Sequence, residues 1–237
     1  MTANTTPRAP ERTRSTPTAT EGLRRWGCIL AMVIAPWGFA ITNLCYAIAI
    51  RDGGSDSTGA GAIALFGAHP GLVRVGVVAG MIGCLLLIPA VLGLFRLAPR
   101  SRAVLVGGSI MIAGYVCYFA VLQSSFAVLA MAEQGGDVAA FARVIDASQS
   151  DVWSAWVFLV FVLGNLGGTL AVGIGLLRSG AVPRWAAVGI LLWPPLHVVG
   201  LVFFGNEVPQ VIGAVIQAAG FAGCAGALAR RSSGVAV

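Results

Sequence analysis

The chain has 237 residues, of which 57% are apolar and 10% charged, and its mean hydropathy is +0.87. A soluble domain carries about a quarter charged residues, so a water-soluble fold is excluded. The net charge of +6 is built entirely from fifteen arginines. With no lysine, the chain has neither a Schiff-base nor a Walker-A amine.

Residues 1–25 are rich in Thr, Pro, Arg and Ser without apolar periodicity, and are expected to form a disordered cytoplasmic tail. Arg24-Arg25 resembles a twin-arginine export signal. The apolar run that follows is too long for a signal sequence, so it is read as an uncleaved first transmembrane helix. Six such runs follow one another: Trp26–Ile50, Leu72–Leu94, Val104–Met131, Trp153–Leu177, Trp185–Phe204 and Val208–Ala229. Each has about 20 or more residues, enough to cross a ~30 Å hydrocarbon layer at ~1.5 Å per residue. None alternates with period two, so helices rather than barrel strands are predicted. The expected fold is an all-α, polytopic bundle of six spans over residues 26–231, with 232–237 as a short cytoplasmic tail.

The first link, 51–71, is Gly-, Ser- and Asp-rich, then turns apolar through Ala62–Phe66 towards His69-Pro70-Gly71. The second, Phe95–Arg102, is short and basic, and Pro99 stops the helix. The third contains Val138, Phe141, Ala142 and Ile145 at i, i+3, i+4 and i+7. That pattern, with Asp137 as N-cap, predicts a surface helix over about 137–147. In the fourth link Gly180 suits a helix C-cap and Pro183 the first turn of the next helix. Twelve of the fifteen arginines fall on the side of the N-terminus; only Arg51, Arg74 and Arg143 fall on the other. The positive-inside rule then places both ends in the cytoplasm and explains the basic charge without nucleic acid. Small residues recur at four-residue spacing, as in Gly76-Gly80-Cys84, Gly164-Gly168, Gly220-Cys224 and Ala219-Gly223. Such stripes let helix backbones approach, within one subunit or across a homo-oligomer seam.

The chemistry is less legible. Cys28, Cys45, Cys84, Cys117 and Cys224 all lie inside expected helices, none at CxxC spacing, and are read as packing residues. His69 and His197 have no ligand-spaced partner, so no metal or cofactor site is expected. Asp52/Asp56 and Glu133/Asp137 are carboxylate pairs four apart, a spacing that can hold Mg²⁺ and diphosphate, but they read better as solvated turns. Glu207 is a weak candidate for a catalytic acid; the competing reading is that Asn206 and Glu207 cap the last helix, with Pro209 in its first turn. Polar side chains within the spans are few: Asn43, Gln123, Asn165, His197 and Gln217, with Tyr46 and Thr169 nearby. Counted along their helices they share one band, ~10–18 Å from the outer helix ends. In that band they form either interhelical glue or a polar-lined pocket open to the outside.

The stretches HPGLVRVGVVAGMIG, LGLFRLAPRSR and GIGLLRSGAVPRWAAVGILL resemble a family of bacterial six-helix membrane proteins described as a domain of unknown function. The matching features are the LxRxG start of the second span, Leu72 to Gly76, and the RSGxxPR turn, Arg178 to Arg184. The N-terminal tail and Pro194-Pro195 fall outside the pattern. The resemblance implies a multi-pass protein of a bacterial cytoplasmic membrane and no particular activity. Three readings remain open. The first is a protein that binds or transports a small, partly apolar molecule through an outward-facing pocket. The second is a membrane-embedded enzyme acting on a lipid or isoprenoid, such as a cyclase using a buried acid. The third is an accessory subunit of a membrane complex.

Overall fold

The computed structural model describes residues 19–200 and 207–232. Every regular element among them is a helix: α1 (Ala19–Ile50), α2 (Gly59–Ala68), α3 (Pro70–Leu97), α4 (Arg102–Gln134), α5 (Val138–Ser150), α6 (Val152–Val162), α7 (Thr169–Ser179), α8 (Arg184–Val199) and α9 (Val208–Ser232). A π-helical segment, Leu163–Gly168, joins α6 to α7, so that Val152–Ser179 runs as one rod. Five helices have the length and hydropathy of membrane spans: Ala19–Ile50, Pro70–Leu97, Arg102–Gln134, Val152–Ser179 and Val208–Arg231. The sixth expected span is represented by α8, a 16-residue helix. The rest of that span (201–204), Asn206 and most of the two expected tails lie outside the described residues. The helix α1 begins at Ala19 rather than Trp26, with Glu21 in its first turn, where an acid favours the helix dipole.

The rods close into a ring. Moving round it, α1 packs on α3, α3 on α4, α4 on the α6–α7 rod, α7 on α8, α8 on α9, and α9 back on α1. Glycines set the closest approaches. A Cβ on Gly164 would lie 2.5 Å from Gly114 Cα, and one on Gly38 would lie 2.9 Å from Gly83 Cα, so these backbones touch where any larger residue would separate them. Gly76 and Gly80 face α1 and α4, Gly168 faces α4, and Gly220 faces α8. These stripes therefore pack within the subunit. Large apolar side chains such as Val106, Leu85 and Leu159 face outward, as expected for a lipid-facing surface.

The two ends of the bundle differ. One carries the arginine-rich links. There Arg231 donates to Leu97 O at 2.7 Å and Ala181 O at 3.1 Å, tying α9 to the end of α3 and to the α7–α8 link. Gly180 ends α7 in the left-handed conformation (φ 60°), as its C-cap role requires. The other end is covered by α2 and α5. The Asp137 side chain caps α5 through Ala140 N at 2.9 Å, and Ala142 and Ile145 of the amphipathic stripe are buried against Ile63 of α2. The surface helix thus packs on the bundle. The helix α2 was not expected, since three of its ten residues are glycine. Two groups satisfy its N-terminus: Thr58 accepts from Gly61 N at 3.1 Å and Asp146 of α5 accepts from Gly59 N at 2.6 Å.

Candidate functional site

At the α2–α5 end the ring is not filled. A cavity of about 350 Å³ lies among α1, α2, α3, α4, α6, α8 and α9. One wall is polar. Thr42, Asn43 and Tyr46 come from α1, Asp56 from the link after it, His197 from α8, and Glu207 and Gln210 from the start of α9. The opposite wall is apolar and aromatic, with Leu65, Phe66, Val73, Val77, Leu122, Tyr118, Phe158 and Phe161. The Tyr118 and Phe161 rings stack at 4.2 Å, interplanar 10°, and present a flat aromatic surface.

Local sequence explains the polar wall. On α1, Thr42 and Tyr46 are one turn apart on the same face. The Thr42 hydroxyl lies 2.9 Å from Gly38 O and 2.7 Å from Gly76 O, pinning α1 to α3 at the base of the cavity. The Tyr46 hydroxyl donates to Asp56 Oδ1 at 2.7 Å, drawing that loop carboxylate over the cavity. On α9, Glu207 and Gln210 are three apart and share a face. The Glu207 carbonyl accepts from Gln210 N and Val211 N, so the residue caps α9 through its backbone while its side chain lines the cavity. Burial first, and then the nearby Asp56 carboxylate, push the Glu207 carboxyl above its ordinary pKa. The His197 ring lies 5.1 Å from that of Trp193, and its buried Nδ1 has no hydrogen-bond partner among the described residues.

Of the five polar side chains in the expected band, Asn43 and His197 line the cavity. The other three lie elsewhere. Gln123 is exposed on the outer face of α4, because Leu122 and Ser125 occupy the face turned to the cavity. Asn165 is 4% exposed and acts as an interhelical clamp. Its Oδ1 accepts from Tyr115 Oη at 2.6 Å and Trp193 Nε1 at 2.9 Å, joining the π segment to α4 and α8. Gln217 is 2% exposed, away from the cavity, with Nε2 unpaired among the described residues. Glu207, the candidate acid, is at the cavity; of the expected cap, its backbone carbonyl opens α9, while Asn206 lies outside the described residues.

Both spaced carboxylate pairs are divided. Asp52 faces Arg51 at 3.4 Å while Asp56 turns inward to Tyr46. Glu133 pairs with Arg74 while Asp137 caps α5. Neither pair converges as a diphosphate-type metal site would need. Asp56, Thr42, Gln210 and Tyr118 were the cavity residues that sequence reading left out. The spacing Glu207, Gln210, Gln217 at i, i+3 and i+10 marks a polar stripe on α9 and was the available signal. No protein-family model matches the chain, no curated protein matches it and no solved structure matches it, so a functional reading rests on this geometry alone.

Proposed function

We propose that this chain is a six-span protein of a bacterial cytoplasmic membrane, both ends cytoplasmic, that binds or transports a small, partly apolar molecule through the α2–α5 cavity. The observation that carries this reading is the cavity's two-sided lining, with hydrogen-bonding groups opposite an aromatic and aliphatic wall. Sites for small molecules are mostly apolar with a few convergent polar groups, which is this arrangement. The orientation is supported by the charge asymmetry between the ends. The carboxylates Asp52, Asp56, Glu133, Asp137, Asp146, Asp151 and Glu207 belong to the cavity end, and most arginines to the other. The cavity then opens outward.

The test is small-molecule mass spectrometry of the protein purified in nanodiscs, wild type beside Val73→Trp, which fills the cavity from its apolar wall. A species retained by the wild type and lost from the variant is the expected result. Identical extracts would overturn the reading. For orientation, a cysteine at Ser55 should react with an impermeant thiol reagent in intact cells and one at Ser101 should not; the reverse pattern would refute it.

A second reading has its own support. Glu207 combines burial, a raised pKa and a position on an aromatic-lined cavity, which are the properties of an acid that protonates an apolar substrate. A membrane-embedded lipid or isoprenoid enzyme would release an altered product in the same extracts, and Glu207→Gln would abolish it.

A further inference from the structure

We propose that the molecule taken up by this cavity is a lipophilic cation: an amine or quaternary ammonium group on an apolar body. This rests on the binding reading above and names its ligand class. Two carboxylates, Asp56 and Glu207, line the cavity, and no arginine among the described residues does. The arginines nearest in sequence are committed elsewhere, Arg51 to Asp52 and Arg74 to Glu133. Among the described residues, the cavity therefore sets two carboxylates against no arginine and one histidine, His197. An anionic head would be repelled there, whereas a cation would be attracted in a medium of low dielectric.

Buried polar groups on the cavity wall bear on the ligand class independently. Gln210 is 3% exposed and lines the cavity, where it places a buried side-chain amide. The buried Nδ1 of His197 has no hydrogen-bond partner among the described residues. Buried polar groups are almost always satisfied, and the N–H of a bound protonated amine would donate to Nδ1 in the ring tautomer that carries its lone pair there. The opposite wall suits the rest of such a molecule. Tyr118 and Phe161 present a stacked aromatic surface, and aromatic faces attract cations through their quadrupole while accepting apolar chains. The volume of about 350 Å³ fits a small amphiphile.

Protons compete for the same carboxylates. The titratable groups that line the cavity with Glu207 are Asp56 from the α1–α2 link, Cys45 and Tyr46 from α1, Tyr118 from α4 and His197 from α8. The raised pKa of Glu207 means that acid neutralises it before an ordinary carboxylate. Cation binding should therefore weaken as pH falls.

The probe is radiolabelled octyltrimethylammonium, measured on the full chain in nanodiscs with empty nanodiscs subtracted, beside labelled 1-octanol and octyl sulfate. Saturable binding of the cation about tenfold or more tighter than of either other probe is expected. The near-isosteric pair Asp56→Asn and Glu207→Gln, combined, should remove that preference, so that the cation binds no tighter than octanol does to the same variant. Equal affinity for all three probes, with each blocked by Val73→Trp, would overturn the cation class and leave the binding reading standing. Saturable binding of none would overturn both. Preference for octyl sulfate, or a cation preference untouched in a folded double variant, would also sink the proposal. The three-probe comparison on the wild type needs no variant, so a variant that fails to fold does not protect the idea.

Discussion

The two halves of the bundle are built from similar helices and finished differently. In the arginine-rich half, the large side chains Phe221, Met32, Leu87, Leu94, Leu97, Met111, Leu176 and Ile190 are fully buried and fill the ring. In the other half the same rods leave a cavity with two carboxylates, a histidine and an amide on its wall. Of the buried cysteines, Cys28, Cys84 and Cys224 belong to the main apolar core, and Cys45 lines the cavity. On the reading proposed above, packing in one half holds the fold and the cavity in the other takes the ligand. Local stability varies across a fold in this way, and binding regions are drawn from the weaker part.

The largest effect that could break this comparison is a truncation in the filled half. Leu94→Ala removes a fully buried side chain and should destabilise by about 2–5 kcal/mol. Val73→Ala, on the cavity wall, borders space that is already empty and should cost under about 1 kcal/mol. Unfolding of both variants in the same detergent measures the contrast. Equal losses would mean that the cavity half is packed as tightly as the other.

At the boundary between the halves stands Asn165. Replacing it with leucine strips the acceptor from two buried donors, Tyr115 Oη and Trp193 Nε1. Each stranded donor costs about 1–3 kcal/mol in a dry environment. Interhelical bonds in membranes average about 0.6 kcal/mol, so a total near 2 kcal/mol is expected. Thermal unfolding of Asn165→Leu checks it. A loss within error would show that the clamp is dispensable and that the boundary is held by packing alone.

How much of this was legible in the sequence follows from what each signal measures. Hydropathy and charge are distributed along the chain, and they located the five long apolar helices and the basic links. Cap chemistry is local, so Asp137 and Gly180 announced their roles. Depth in the membrane is also one-dimensional, and it grouped Asn43 with Gln123. What depth cannot give is azimuth, which depends on the helices that become neighbours in the ring. Gln123 therefore turned out on the outer face, one position from Leu122 on the cavity. The helix α2 was hidden for a related reason. Its glycines argue against helix, and the Asp146 carboxylate that completes its N-terminus comes from α5, far away in sequence. Tertiary context overrides propensity there. Asp56 looked like half of a solvated pair until Tyr46 was seen to draw it inward.

A pH titration sharpens the comparison from the cavity side. The folded pKa of Glu207 is raised above its ordinary value of 4.5, so folding disfavours its ionised form. Between that ordinary value and the raised one, the native state binds more protons than the unfolded state. The stabilisation is complete below the unfolded pKa and is lost as pH rises through the folded one. Melting temperature should thus fall with rising pH in this window more steeply for the wild type than for Glu207→Gln. Coincident profiles would show that Glu207 is solvated in the native protein.

The smallest expected difference concerns arginine itself, which serves both ends in different ways. Arg74 and Glu133 pair at 2.6 Å, but their side chains are 52% and 41% exposed. An exposed pair of this kind contributes about 0–1 kcal/mol and is screened by salt, so Arg74→Gln should move stability by less than about 1 kcal/mol, and by less still in high salt. Arg231 instead donates to two backbone carbonyls, Leu97 O and Ala181 O, at the end of α3 and in the α7–α8 link. The carbonyl of Leu97 belongs to the last residue of α3, where helix geometry leaves acceptors unpaired and a cation is favoured by the dipole. Charged hydrogen bonds contribute more than neutral ones, so Arg231→Gln should cost about 1.5 kcal/mol and depend less on salt. Parallel unfolding of the two variants at low and high salt decides the matter. If Arg74→Gln proves the more damaging, the cavity end is held by its surface charges, and the division of labour between the two halves is wrong.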